Sequence, residues 1–289
     1  MSDCASDTDE GLLNDFFQEP EGYFKPPPEP TSVVFERQPQ WVTDGSPANI
    51  TINLLGSHPL WGHHLWNAAK TFANYLDENK SIVKGKSVLE LGAAGALPSL
   101  VSACNGATKL VITDYPDHDL IDNIRKNVQV NMASKLEDGS VEVAGFKWGY
   151  DIEKIAAMNQ KNYDNGSNSS SGSEQVTGFD VLILCDLVFN HSEHTALLKS
   201  IDQLMAKPKP GNGNGSSTGG EAYVFFTHHR PWLADKDMDF IERARDELGL
   251  EVSKVVEQYT GAMFEDDPGD ERVRGTVHGY RLTYPASKS

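Results

Sequence analysis

From residue 87 onward the chain alternates short apolar runs with segments whose apolar residues recur every three or four positions. SVLEL, KLVIT and FDVLILC are apolar almost throughout, the pattern of strands buried on both faces. Strands are expected over 87–91, 109–113, 141–146, 179–185 and 222–227, and helices over 99–105, 120–131, 192–205 and 237–248. Such alternation specifies a parallel, doubly wound α/β sheet with helices on both faces. Two more strands, near 251–258 and 277–284, have no helix between them. They should pair antiparallel, completing a seven-stranded sheet with an antiparallel last strand. Ahead of this run, 33–35 and 50–54 read as short strands, and LWNAAKTFANYL over 65–76 has helical periodicity.

Residues 1–30 read as a short N-terminal extension, first acidic and then proline-rich, ahead of one domain over 31–289. In that tail Leu12, Leu13, Phe16 and Phe17 have helical spacing, suited to docking on the body or on a partner. NGSNSSSGS and KPKPGNGNGSSTGG mark two low-complexity inserts, near 165–174 and 207–220, expected as disordered surface loops. There are no internal repeats.

Composition narrows the partners. With 42 acidic and 25 basic residues the formal charge is −17. That speaks against nucleic acid, whose binders need basic surface to displace phosphate counterions. A basic protein partner suits the charge better, although acidity also simply favours solubility. No run of about 18 apolar residues exists, so no membrane helix is expected. The acidic N-terminus lacks a signal-peptide pattern. Cys4, Cys104 and Cys185 are far apart and form no CxxC. A disulfide framework or a cysteine zinc site is therefore not expected, and a reducing, cytoplasmic setting fits. The glycosylation-like matches at Asn49, Asn165 and Asn168 then read as chance.

Chemistry begins at VLELGAAGALPSL, residues 88–100, a buried strand running into a tight turn and a helix. Gly92 and Gly95 are expected to let a ligand approach the backbone closely. Asp114, 19 residues beyond Gly95, ends the next strand, where a doubly wound fold places a carboxylate for ribose hydroxyls. A dinucleotide site requires G-x-G-x-x-G, but the turn reads Gly92-Ala93-Ala94-Gly95. Glu90 would also set a negative charge near a pyrophosphate. A sulfonium nucleoside with an amino-acid tail carries no phosphate and tolerates that carboxylate, which favours S-adenosylmethionine.

Joined by LWNAAKTFANYL, VITDYPDHDLIDNIRKNV, FKWGYD and VLILCDLVFNH, this turn resembles the Rossmann-like, seven-strand (class I) methyltransferases. Within them it is similar to the protein-lysine methyltransferases that carry Asp-x-x-Phe/Tyr after the fourth strand. LWGHHLWNAAK and VITDYP resemble a fungal family once named for nicotinamide N-methylation. That family is now described as N-terminal and lysine methyltransferases of translation elongation factor 1-alpha. The similarity runs from about residue 20 to the C-terminus, interrupted by the two inserts. It implies that Trp66 contacts the cofactor, that Gly92, Ala93 and Ala94 line its amino-acid and ribose portion beside Glu90, and that Asp114 holds the ribose. It also implies that Trp148 covers the adenine and that Cys185 touches the cofactor. The turn departs from E-x-G-x-G-x-G at Ala94. From residue type alone, Trp61 and Trp66 read as packing a helix onto the sheet, and Trp148 reads either way.

Asp186-Leu187-Val188-Phe189 follows an apolar strand, at the rim where such sheets bind ligands. Methyl transfer needs a neutral amine aligned with the methyl group and shielded from water. Asp186 is expected to orient that amine and Phe189 to wall its channel. The competing reading makes Asp186 a helix N-cap. His191, His194, His228 and His229 match no zinc spacing, and no metal is expected. Glu265, Asp266, Asp267, Asp270 and Glu271 fall between the last two strands and should project beside the site, as bait for a basic peptide or as a plain solvated hairpin tip. Three functions stay open: methylation of the elongation factor's N-terminal amine and neighbouring lysine, methylation of a small amine such as nicotinamide, and a non-catalytic cofactor-binding scaffold.

Overall fold

The computed structural model describes residues 28–43, 45–159, 178–208 and 219–285. The apolar quartet of the tail, the first low-complexity insert and most of the second lie outside these residues. Among the described residues the strands are β1 (Thr31–Glu36), β2 (Asn49–Leu54), β3 (Ser87–Leu91), β4 (Lys109–Asp114), β5 (Val141–Gly145), β6 (Val181–Cys185), β7 (Glu221–Thr227), β8 (Glu251–Tyr259) and β9 (Thr276–Thr283). The helices are α1 (Asn67–Glu78), α2 (Leu97–Cys104), α3 (His118–Glu137), α4 (Ile152–Ala157), α5 (His194–Leu204), α6 (Ala234–Leu248) and α7 (Glu271–Arg274).

Successive residues of the central strands feed two cores. Val88, Ile112, Val181 and Ile183 pack on one face with Phe72 of α1, Leu97 and Leu100 of α2 and Ile124 of α3. Leu89, Leu91, Val111, Leu182 and Leu184 pack on the other with Ile155 of α4, Leu197 and Ile201 of α5 and Phe240 of α6. With both faces covered, the strands carry apolar residues on each side, which is why the runs looked continuous rather than alternating. The seven-stranded order is β5-β4-β3-β6-β7-β9-β8. β3 to β7 run parallel, while β9 pairs antiparallel with both β7 and β8. The strand order reverses between β3 and β6, and such a switch point opens a crevice at the carboxyl ends of the strands.

Several boundaries differ from expectation for local reasons. Asp117 caps α3 by accepting from the Asp119 and Leu120 N–H groups, so that helix begins at His118; it kinks at Met132 and continues to Glu137. Phe179 forms only an isolated bridge with Met205, so β6 starts at Val181. α4 and α7 are too short to show a helical period.

β1 and β2 form a separate hairpin against α3. Asn131 exchanges hydrogen bonds with the Thr51 backbone, and Asn127 does the same with Asn53, so two helix side chains occupy the edge of β2. The Arg37 guanidinium, buried just after β1, makes a two-pronged pair with Asp77 at the end of α1. Gly95 completes the contact: a Cβ there would come within 2.7 Å of Ile52. The second glycine of the turn therefore serves the hairpin, not ligand approach as its spacing suggested.

Candidate active site

The turn after β3 is held in an unusual shape by its neighbours. Gly92, Ala94 and Ala96 have φ of 60°, 45° and 61°. The left-handed conformation costs an alanine roughly 1–2 kcal/mol. Three bonds hold it: Ala93 N–H to the Thr113 carbonyl at 3.0 Å, Ala94 N–H to Asp114 Oδ2 at 2.7 Å, and Ala96 N–H to the Ala93 carbonyl at 2.6 Å. Gly92 has a second reason to lack a side chain. A Cβ would sit 2.5 Å from Leu187 and 3.3 Å from Trp148.

These residues border a cavity of about 880 Å³, within the range of small-molecule and cofactor sites. Trp66, Gly92, Ala94, Asp114, Trp148, Cys185, Asp186 and Phe189 line it. Ala93 and Glu90 do not. Ala93 belongs to the core beside the hairpin, and Glu90 is buried with its carboxylate accepting the Ser99 N–H at the start of α2. Burial pushes the Glu90 carboxyl up to about 8 despite that bond, so at neutral pH it is mostly protonated. The charge that argued against a pyrophosphate is largely absent there. The walls supply it instead: Asp114, Asp117, Asp119, Asp186 and Glu193 face Lys147 and His58.

Asp114 ends β4 with each oxygen accepting one backbone N–H, from Ala94 and from Tyr115, both at 2.7 Å. Each oxygen keeps a lone pair for a further donor. Burial pushes this carboxyl above its ordinary range, against those two bonds. Burial, reinforced by Glu90 and Asp186, also holds the Cys185 thiol well above its usual value. Cys185 is therefore no nucleophile.

Asp186 has φ 53° and is 4% exposed. Its Oδ1 accepts from Thr227 N–H at 3.0 Å and lies 3.2 Å from His229 Nε2, while Oδ2 is buried without a partner. It caps no helix, since α5 starts at His194 behind Glu193. The other buried polar atom on the cavity wall without a partner is Trp148 Nε1.

A second cavity of about 390 Å³ shares Trp61, Trp66, Phe189 and Asn190 with the first and adds His229, Arg230, Phe264 and Asp267. Register brings these together. Thr227 of β7 pairs with Val277 of β9, so the β8–β9 loop emerges at the same edge as the ends of the parallel strands. The buried Arg274 side chain bonds to the carbonyls of Phe264, Glu265 and Gly269 and so fixes the loop. The Trp66 ring meets His229 edge-on at 5.1 Å and Phe264 at 6.0 Å. Trp61 and Trp66 are thus cavity walls rather than helix packing. Sequence reasoning missed Phe264, whose one signal was an aromatic residue inside an acidic loop. Among the described residues no group of three or more histidine, cysteine or acidic side chains is arranged for a metal. His191 and His228 instead share Asp237, and His194 bonds to the Val188 carbonyl. No helix among the described residues is long and apolar enough to cross a membrane.

Comparison with known proteins gives the same class. A family model described as lysine methyltransferase matches residues 49–165. The protein N-terminal and lysine N-methyltransferase efm7 of Schizosaccharomyces pombe is 42% identical over 279 residues, covering 94% of this chain and 98% of that one. Its counterpart in Aspergillus fumigatus is 38% identical over 282 residues, covering 97% of each. Two solved structures share the fold. One, from Streptococcus mutans and described as a SAM-dependent methyltransferase, has a TM-score of 0.51 at 15% identity, over 90% of this chain and 57% of that chain. The other, described as a methyltransferase complexed with SAH, has 0.53 at 14%, over 81% and 53%. The donor of such enzymes, S-adenosylmethionine, fits the larger cavity: the acidic walls suit its sulfonium and ammonium charges, and Asp114 keeps lone pairs for a diol. The chain belongs to the protein N-terminal and lysine N-methyltransferase family.

Proposed function

We propose that this enzyme methylates the N-terminal amine and the adjacent lysine of translation elongation factor 1-alpha in the cytoplasm, holding the donor in the larger cavity and the amine in the smaller. The observation that carries the reading is the wall the two cavities share, Trp61, Trp66, Phe189 and Asn190, beside the unbonded oxygen of Asp186. When bound, S-adenosylmethionine supplies an electrophilic methyl group on sulfur. Asp114 accepts the ribose hydroxyls, Trp148 covers the adenine, and Gly92, Ala94 and Cys185 shape the floor. Ala93 and Glu90 support the turn from behind. Trp66 and Phe189 keep water from the reacting atoms, and Asp186 orients the amine.

A protein N-terminal or lysine amine is the acceptor named for the relatives, and charge favours a basic one. Glu265, Asp266, Asp267, Asp270 and Glu271 are all exposed on the loop that brings Phe264 to the slot. They draw a basic peptide toward it. Incubation of the enzyme with labelled S-adenosylmethionine and a lysate lacking it should label one protein, the elongation factor. Label confined to the small-molecule fraction would sink this reading. Asp114→Asn, which keeps one acceptor oxygen, should weaken S-adenosylhomocysteine binding about 10–100-fold, the loss expected for hydrogen bonds to a charged group. An unchanged calorimetric Kd removes Asp114 from the donor site.

A further inference from the structure

β7 ends at Thr227, and the two histidines that follow turn to different carboxylates. His228 Nδ1 lies 2.8 Å from Asp237 Oδ2, and the other oxygen of Asp237 lies 2.7 Å from His191 Nε2. Two rings thus occupy Asp237, which has a structural role. His229 Nε2 lies 3.2 Å from Asp186 Oδ1, and Asp186 Oδ2 has no partner. His229 also lines the smaller cavity.

We propose that His229 is the proton acceptor for the incoming amine, paired with Asp186 as its carboxylate partner. This rests on the reading of the smaller cavity as the acceptor slot. With the Nε2–H donated to Asp186 Oδ1, Nδ1 keeps the lone pair of the ring, and among the described residues no hydrogen bond goes to Nδ1. An alkylammonium has no lone pair with which to attack. One of its N–H bonds breaks, the electron pair stays on the amine nitrogen, and the proton forms a new N–H bond at Nδ1. The ring becomes an imidazolium bonded to Asp186, and the amine becomes a neutral nucleophile. The His229 side chain is 16% exposed, so the proton can pass on to water.

The surroundings set the balance of this transfer. Among the described residues, Asp186 at the end of β6, Asp237 in α6, Asp267 on the β8–β9 loop and the neighbouring Arg230 and His228 are charged or titratable groups around the ring, with His64 beyond Trp66. Burial opposes the imidazolium, but the bond and charge of Asp186, with Asp237 and Asp267, outweigh it and raise His229 above the ordinary histidine value. A base raised above the ordinary histidine value moves toward the α-amine it is to deprotonate, which suits transfer near neutral pH.

His229→Gln keeps a donor directed at Asp186 and removes the basic nitrogen. The probe is the protein band that the wild-type enzyme labels in lysate, purified, whatever its identity. A wrong acceptor and a wrong role for His229 therefore give different results. At pH 7 the variant should lose about 10²-fold in kcat/KM. The loss should shrink to within a few-fold by about pH 9, where an α-amine is neutral unaided. The same loss at every pH, or no loss, overturns the proposal. A second measurement holds even if the variant folds poorly: ring titration by NMR in the wild-type protein and in Asp186→Asn. His229 should titrate above 6.5 in the first and lower in the second. A wild-type value at or below 6.5 overturns the proposal as well.

Discussion

Asp186→Ala is expected to lower kcat at pH 7 by about 10²–10⁴-fold, the range measured when a positioned acid–base group is lost. Asp186 has one oxygen committed to Thr227 N–H and His229 and the other buried and unbonded beside the cavity. Alanine removes the proposed partner of the amine and the partner of His229 together. It also leaves a buried Thr227 N–H without its acceptor, which costs about 1–3 kcal/mol, so the variant should melt earlier as well. Asp186→Asn separates the two effects, because its amide oxygen can keep Thr227 satisfied while the charge is gone. A comparable loss of kcat in a well-folded Asp186→Asn protein, with S-adenosylhomocysteine affinity unchanged, assigns the effect to charge. Near-normal turnover in either folded variant would falsify the role of Asp186.

The second large effect is on stability. Glu90 is 2% exposed, and burial raises its carboxyl from 4.5 to about 8. Between those values the folded protein holds a proton that the unfolded chain has released. The stabilisation is therefore full below pH 4.5 and declines by about 1.4 kcal/mol per pH unit until pH rises through about 8, where the slope ends. Glu90→Gln removes the titration and keeps an oxygen for the Ser99 N–H. Relative to wild type, the variant should gain on the order of a few kcal/mol between pH 5 and pH 8, read from urea unfolding at the two values. Parallel pH dependence in the two proteins would mean that Glu90 stays ionised in the fold.

These two carboxylates show what sequence carries and what it does not. The parallel strands were legible within a residue or two because each is a short apolar run bounded by turn residues. The antiparallel end followed from the absence of a helix-period segment between the last two strands, where the structure holds only the one-turn α7. Asp186 was legible as a polar residue closing such a run. The state of Glu90 was not, because a carboxyl's proton depends on burial by α2 and the sheet. Gly92 and Gly95 look alike in VLELGAAG, yet only Gly92 borders the cavity; the contact of Gly95 with Ile52 comes from a hairpin over forty residues earlier in the chain. His229, Phe264 and Asp267 meet through the pairing of β7 with β9, which no local pattern records. The sharing of Asp237 by His191 and His228 joins positions 46 and 9 residues away from it.

The turn from Gly92 to Ala96 has one more consequence, in the entropy of binding. Its three hydrogen bonds run to Thr113, Asp114 and Ala93, all within the protein, so the loop is formed before any donor arrives. Alanine at position 94 has fewer unfolded conformations to give up than the glycine of the usual pattern, at the larger cost of its left-handed φ. A loop already ordered surrenders no further freedom on association, and the ordering cost falls on the incoming nucleoside alone.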